Sequence, residues 1–219
     1  MSRTYTDIVN RYRACLFERS FQMSLVLSSV LFLMSIAMSF FAIQYATERA
    51  SNSVTDIILS NIPAIDVDGF FVWGTLSLVV FSLFLLVANP QRVPFALNSL
   101  ALFYFIRSIF VSLTHIGPFP ILAGNEHWGT IAAHFLFGSD LFFSAHTGAP
   151  FLFALIFWHK KELRYIFLAW SVFMATVVLL GHYHYSIDVA SAYFITYSIY
   201  HLAKFLFPKS FAIFHGASA

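Results

Sequence analysis

The chain has 219 residues, 59% hydrophobic and only 10% charged. A soluble domain carries about 25% charged residues, so a soluble enzyme is excluded and an integral membrane protein is expected. The formal net charge of +2 is too small to argue for a nucleic-acid partner, and the single cysteine, Cys15, excludes an intrachain disulfide or a multi-cysteine zinc site.

Residues 1–20 set Arg3, Arg11, Arg13 and Arg19 among Ile8, Val9, Tyr12, Leu16 and Phe17. Basic residues interleaved with apolar ones suit an amphipathic arm on a membrane surface; a frayed basic leader fits the same residues. The first apolar run, 21–43, is long enough to span and does not read as a cleavable signal. Residues 44–69 hold Glu48, Asp56, Asp66 and Asp68 with Asn61, Pro63 and Gly69, which predicts a loop with a short amphipathic helix over 54–59.

Further spans are predicted over 70–88 and 95–116, the latter interrupted by Arg107. Gly117, Pro118 and Pro120 open a longer outer segment with Asn125, Glu126, His127, Trp128, His134 and Asp140. Spans over 141–158, 163–180 and 185–207 complete six, and 208–219 form a tail. No internal repeat or domain boundary interrupts residues 21–207, so the fold class is all-α: one six-transmembrane-helix bundle. Ten of the twelve Lys and Arg residues fall on the side of the N-terminal arm, the Arg92 loop, the Lys160 turn and the tail. The positive-inside rule then makes both termini cytoplasmic.

That orientation gathers four ionisable groups from three spans into the outer half: Arg107, His146, His184 and Asp188. None could face lipid cheaply. His184 and Asp188 are four apart, so on a helix beginning near Tyr185 the carboxylate can hold the imidazole, fixing its tautomer and raising the basicity of its other nitrogen. With a second imidazole and a guanidinium, the set suits phosphoryl chemistry. His184 attacks phosphorus, His146 exchanges protons with the leaving and entering oxygens, and Arg107 holds phosphate oxygens.

Other readings stand beside this one. His146 could cap its helix, and Arg107 could pair with Asp140 or Glu126. A metal site is a rival because His115, His127, His134, His146, His182 and His184 share the outer half, though no HExxH or comparable spacing occurs. A transporter would use similar groups, but nearer mid-membrane and with repeats, and a structural scaffold would leave them unreactive.

The residues also resemble a known family. SAHT at 144–147 is similar to the SGHT motif, and HYSIDVASAYFIT at 184–196 to the HYT-x-DV motif with its trailing AYYIT, of the sphingomyelin synthases. These belong to the superfamily of type 2 phosphatidic acid phosphatases. FGSDLFFSAHT resembles the longer CGDxxFSGHT version, and RSIFVSLTHIGP at 107–118 the family's arginine-bearing third span. The likeness runs over residues 103–201. It implies a six-span bundle of that superfamily's type and a triad of His146, His184 and Asp188 on the exoplasmic side. Asp140, Glu126, Ser144 and Tyr185 would support the triad, with no cofactor. Ala145 replaces the motif glycine and Gly138-Ser139 its Cys-Gly, which leaves the packing at that turn open. The long flanking cytoplasmic extensions of animal members are absent, which suggests a bacterial or minimal relative.

Monoesterase members meet a dianionic phosphate with several cations, in patterns resembling KxxxxxxRP and SRxxxxxHxxxD. Here Val178 stands six before His184 and only Arg107 is in reach. One cation suits a monoanionic diester, so a head-group transferase is favoured. Its donor would be a phospholipid, and its acceptor ceramide, diacylglycerol or water. With water as acceptor the same residues make a phosphatase or a phospholipase C-like hydrolase. The expected setting is a multi-pass protein of a bacterial inner membrane, or of the Golgi or plasma membrane, with homo-oligomers allowed.

Overall fold

A computed structural model describes residues 12, 13, 15–121 and 141–215. Among them the secondary structure is helical: α1 (Arg19–Glu48), α2 (Asp68–Val87), a 3-10 turn (Pro90–Arg92), α3 (Val93–Leu113), α4 (Ala145–Ile156), α5 (Lys161–Leu180), α6 (Ser186–Leu206) and α7 (Pro208–Phe214). Four of these, α1, α2, the 3-10 turn continued by α3, and α5, are long and apolar enough to cross a membrane.

The predicted fourth span, 141–158, is a shorter helix. α4 has 12 residues, about 18 Å at 1.5 Å per residue, against about 30 Å of hydrocarbon. Leu141 to Phe143 stay outside the helix, and two of their carbonyls are used elsewhere: Thr114 Oγ1 donates to Leu141 O at 3.2 Å and Arg107 Nε to Phe143 O at 2.9 Å. α6 has 21 residues but carries Asp188, His201 and Lys204 along its length.

The helix predicted over 54–59 is absent. The Asp56 carboxylate accepts the N–H groups of Ile58 and Leu59 at 2.8 and 3.1 Å, and this local side-chain alternative to helical bonding turns the chain instead. Residues 1–11, most of the basic arm, lie outside the described residues. The tail begins as α7, whose Pro208 suits a first helical position because its missing N–H would have no partner there.

α1 packs along α3, burying the small side chains Ser28, Ser35, Ser39, Ala42 and Ala46, which favour close approach of the backbones, while Phe32 meets Tyr104 edge-on at 6.3 Å. Ser28 and Ser35 donate to carbonyls of their own helix, so burying them leaves no orphan hydroxyl. α4 is the innermost helix, between α5 and α6. Phe103, Phe143, Leu152, Phe157, Phe167 and Ile199 form the dry centre around it.

Gly148 sets how close α4 comes to its neighbours. A Cβ there would lie 2.8 Å from Thr196 Oγ1 and 2.9 Å from the Phe103 ring. Gly148→Val is expected to destabilise the fold by about 1–3 kcal/mol through overpacking. Gly69→Ala, whose Cβ meets nothing within 4 Å, should leave the thermal midpoint in detergent unchanged. Equal midpoints for the two variants would contradict this packing.

Candidate active site

α5 ends at Leu180, and the chain reverses within five residues to begin α6. Gly181 is the C-cap and His182 takes the left-handed conformation, with φ 58°. The His182 N–H donates to Leu179 O at 3.1 Å and the Tyr183 N–H to Val178 O at 2.9 Å, the paired bonds of a Schellman ending. Glycine is the usual left-handed residue, and histidine there costs about 1–2 kcal/mol. The ring offsets this by donating from Nδ1 to Ile121 O at 2.8 Å and meeting Phe119 edge-on at 5.1 Å. Gly181 is required by space: a Cβ would sit 2.6 Å from the Tyr183 ring and 2.9 Å from Val67. Tyr183 packs on Phe71, with ring centroids 5.0 Å apart, and donates its hydroxyl to Asp68. Burial, reinforced by the Asp68 hydrogen bond and charge, pushes the phenol well above its usual range, so it remains a donor.

Tyr185 is the N-cap of α6, and Asp188 holds the third helical position. Asp188 Oδ2 accepts the Tyr185 N–H at 3.0 Å and meets His184 Nδ1 at 3.2 Å, with His184 and Asp188 3% and 0% exposed. A carboxylate that accepts from Nδ1 would leave the lone pair of a neutral imidazole on Nε2. The same aspartate anchors the second motif: its backbone carbonyl accepts the Ser144 N–H at 3.1 Å. Ser144 caps α4, accepting the Thr147 N–H at 3.4 Å. His146 follows in the first turn, its ring centroid 6.3 Å from that of His184 and 4.3 Å from Phe71.

The structure thus brings His146, His184 and Asp188 together. Arg107, 2% exposed, reaches the backbone just before α4 by donating from Nε to Phe143 O. Ser144 is a helix cap. Tyr185 turns away from the two histidines: its hydroxyl donates to Gly117 O at 2.8 Å and accepts the Val54 N–H at 3.2 Å. Ala145 occupies the first helical position with no left-handed angle, so the methyl at the motif glycine is accommodated. Asp140, Glu126, His127 and His134 lie outside the described residues. Among those described, no three His, Cys, Asp or Glu side chains converge as a metal site would require.

Asp56 was not legible as part of this region. Its Oδ2 accepts both the N–H and the hydroxyl of Ser186 at 2.7 Å, across 130 residues of sequence. Together with the Tyr185 contacts, it clamps loop 49–67 over the start of α6. An aspartate ahead of Ile57-Ile58-Leu59 signals a turn, but nothing local points to Ser186.

A family model described as the PAP2 superfamily C-terminal region matches residues 138–205. That segment is less than a third of the chain, but it contains Ser144, His146, His184 and Asp188, and the match supports the PAP2 superfamily. No curated protein and no solved structure matches the chain.

Burial raises the Asp56 pKa, but hydrogen bonds from the Ser186 hydroxyl and from the N–H groups of Leu59, Ser186 and Ile58 outweigh it and leave the pKa below 3.8. A lowered folded pKa contributes stability that is complete above the unfolded value and is lost as pH falls through the folded one. The clamp should therefore hold at neutral pH and release below pH 3.8. Asp56→Ala should remove about 2 kcal/mol at neutral pH and speed amide exchange at Ser186, read by hydrogen–deuterium exchange. Unchanged exchange at neutral pH would contradict the clamp.

Proposed function

We propose that the chain is a membrane-embedded lipid phosphotransferase that moves a phospho-head group from a phospholipid to a lipid hydroxyl, with His184 as nucleophile. The apolar helices and the match at 138–205 support an integral membrane protein of lipid phosphatase or phosphotransferase type. The observation that carries the finer reading is the His184–Asp188 pair. It sets Nδ1 against the carboxylate at 3.2 Å, an arrangement in which a neutral imidazole keeps its lone pair on Nε2, with the ring centroid of a second imidazole 6.3 Å away.

In the first half-reaction His184 Nε2 forms a bond to the phosphorus of a phosphodiester and the bond to the glycerol oxygen breaks. His146 gives its proton to the departing alkoxide, and diacylglycerol leaves. In the second, the acceptor hydroxyl attacks phosphorus, the P–N bond breaks, and His146 takes the hydroxyl proton. Asp188 holds the imidazole in register throughout and stabilises its positive charge. Arg107, fixed against the Phe143 carbonyl, supplies the permanent positive charge of the pocket. Asp140 and Glu126, carried over from the family resemblance, keep their proposed supporting roles. Water as acceptor turns the same steps into hydrolysis.

The reading includes the topology expected from the charges: six spans, both termini cytoplasmic, and the His146–His184 region facing the periplasm or exoplasm. With Arg107 as the one cation assigned to the site, a monoanionic diester is favoured over a dianionic monoester.

Purified protein incubated with fluorescent phosphatidylcholine or phosphatidylethanolamine should release diacylglycerol, and added ceramide or diacylglycerol should collect the head group. His184→Ala should lower turnover at least about a thousandfold. Full turnover in that variant would remove the nucleophile assignment. Cleavage of phosphatidic acid with no action on any diester would instead identify a phosphatase. A chelator should have little effect on the rate; loss that zinc restores would revive a metal mechanism.

A further inference from the structure

The end of the bundle opposite His184 carries a second polar site. The 3-10 turn between α2 and α3, the α4–α5 turn and α7 converge on a cavity of about 210 Å³ lined by Gln91, Arg92, Ile156, Phe157, His159, Lys160, Phe214 and His215. Arg92 is 9% exposed, and its guanidinium lies 5.5 Å from the Phe157 ring centroid and 5.8 Å from that of Phe214. Two aromatic faces thus fix a permanently charged group at the cavity wall. The His159 and His215 rings stand edge-on 5.6 Å apart, and no carboxylate lines the cavity among the described residues.

The surroundings have the same sign. Residues 88–92, 157–164 and 204–215 hold Arg92, Lys160, Lys161, Arg164, Lys204 and Lys209 against one carboxylate, Glu162. Trp158 and Tyr165, 43% and 61% exposed, flank the α4–α5 turn, and Arg164 lies 4.8 Å from each ring centroid. Exposed Trp and Tyr beside cations mark the head-group layer of a bilayer.

We propose that this cavity binds the phosphate of an anionic phospholipid from the adjacent leaflet. A phosphate needs donors and positive charge, which Arg92, Lys160, Gln91 and the His159 ring supply; His215 donates from Nδ1 to Phe211 O at 3.0 Å and adds a donor at Nε2 as the imidazolium. The lipid's glyceryl and upper acyl portions need apolar walls, which Ile156, Phe157 and Phe214 supply. Those apolar walls distinguish this ligand from free phosphate, which has no acyl portion to fill them. The proposal does not depend on the reaction at His184, which lies at the other end of α5.

Native mass spectrometry of the full chain in detergent, titrated with dioleoyl phosphatidylglycerol or the matching phosphatidylcholine, tests it. The first phosphatidylglycerol should bind about tenfold more tightly. The double variant Lys160→Gln/His215→Gln, at two exposed positions, should abolish that preference, as should Arg92→Gln. If Arg92→Gln does not fold, the double variant decides alone. His184→Ala should keep the preference. Equal binding of the two lipids, or a preference untouched by the double variant, would overturn the proposal. So would a preference lost in His184→Ala alone, which would place the lipid at the catalytic end, or displacement of the lipid by excess inorganic phosphate, which would identify a free-phosphate site.

Discussion

Two helix N-termini meet at Asp188, and the rest of that end of the bundle is arranged around the meeting. Its carboxylate takes the Tyr185 N–H and holds His184, while its backbone carbonyl takes the N–H of Ser144, the cap of α4. A helix start leaves N–H groups without intrahelical partners, and in an apolar bundle each must be satisfied by protein. One residue that meets this need for two helices also fixes the separation of the histidines they carry. The relation between His146 and His184 is therefore a consequence of helix capping, and it needs no flexible loop to bring the rings together.

Other contacts hold that junction from outside. Arg107 secures the carbonyl before Ser144, Asp56 secures Ser186 after Tyr185, and Tyr185 reaches Gly117 and Val54. Gly148 admits Phe103 and Thr196 against α4, and Gly181 admits Tyr183 and Val67 against the α5–α6 turn. Each contact ties a different part of the chain to the same few residues. The two ends of the bundle differ in kind: carboxylates and tightly bonded turns surround His184, whereas the end near Arg92 is rich in cations.

The long helices were legible in the sequence because uninterrupted apolar runs dictate them; α2, α3 and α5 begin within two residues of the predicted starts. The His184–Asp188 pair was legible for a similar reason, since spacing of four on a helix start is a local geometric fact. What could not be read depends on long-range partners. α4 is shorter than its apolar run, and Thr114 and Arg107 take the carbonyls of residues 141 and 143. Loop 49–67 turns at Asp56 because the side chain competes with helical bonding, and its second oxygen finds Ser186 only in the folded chain. The left-handed His182 is likewise invisible in a pattern that places glycine one residue earlier.

The central claim is that His184, held by Asp188 through Nδ1, is the atom donor to phosphorus. Its most direct measurement is rapid alkaline quenching of the enzyme with a phospholipid diester, followed by mass spectrometry of the peptide that contains residues 182–188. The account predicts a phospho-head-group adduct on His184 that is stable in alkali and lost in acid. Turnover proceeding at full rate with the His184 peptide unmodified at every quench time, or with the adduct on His146 instead, would contradict it.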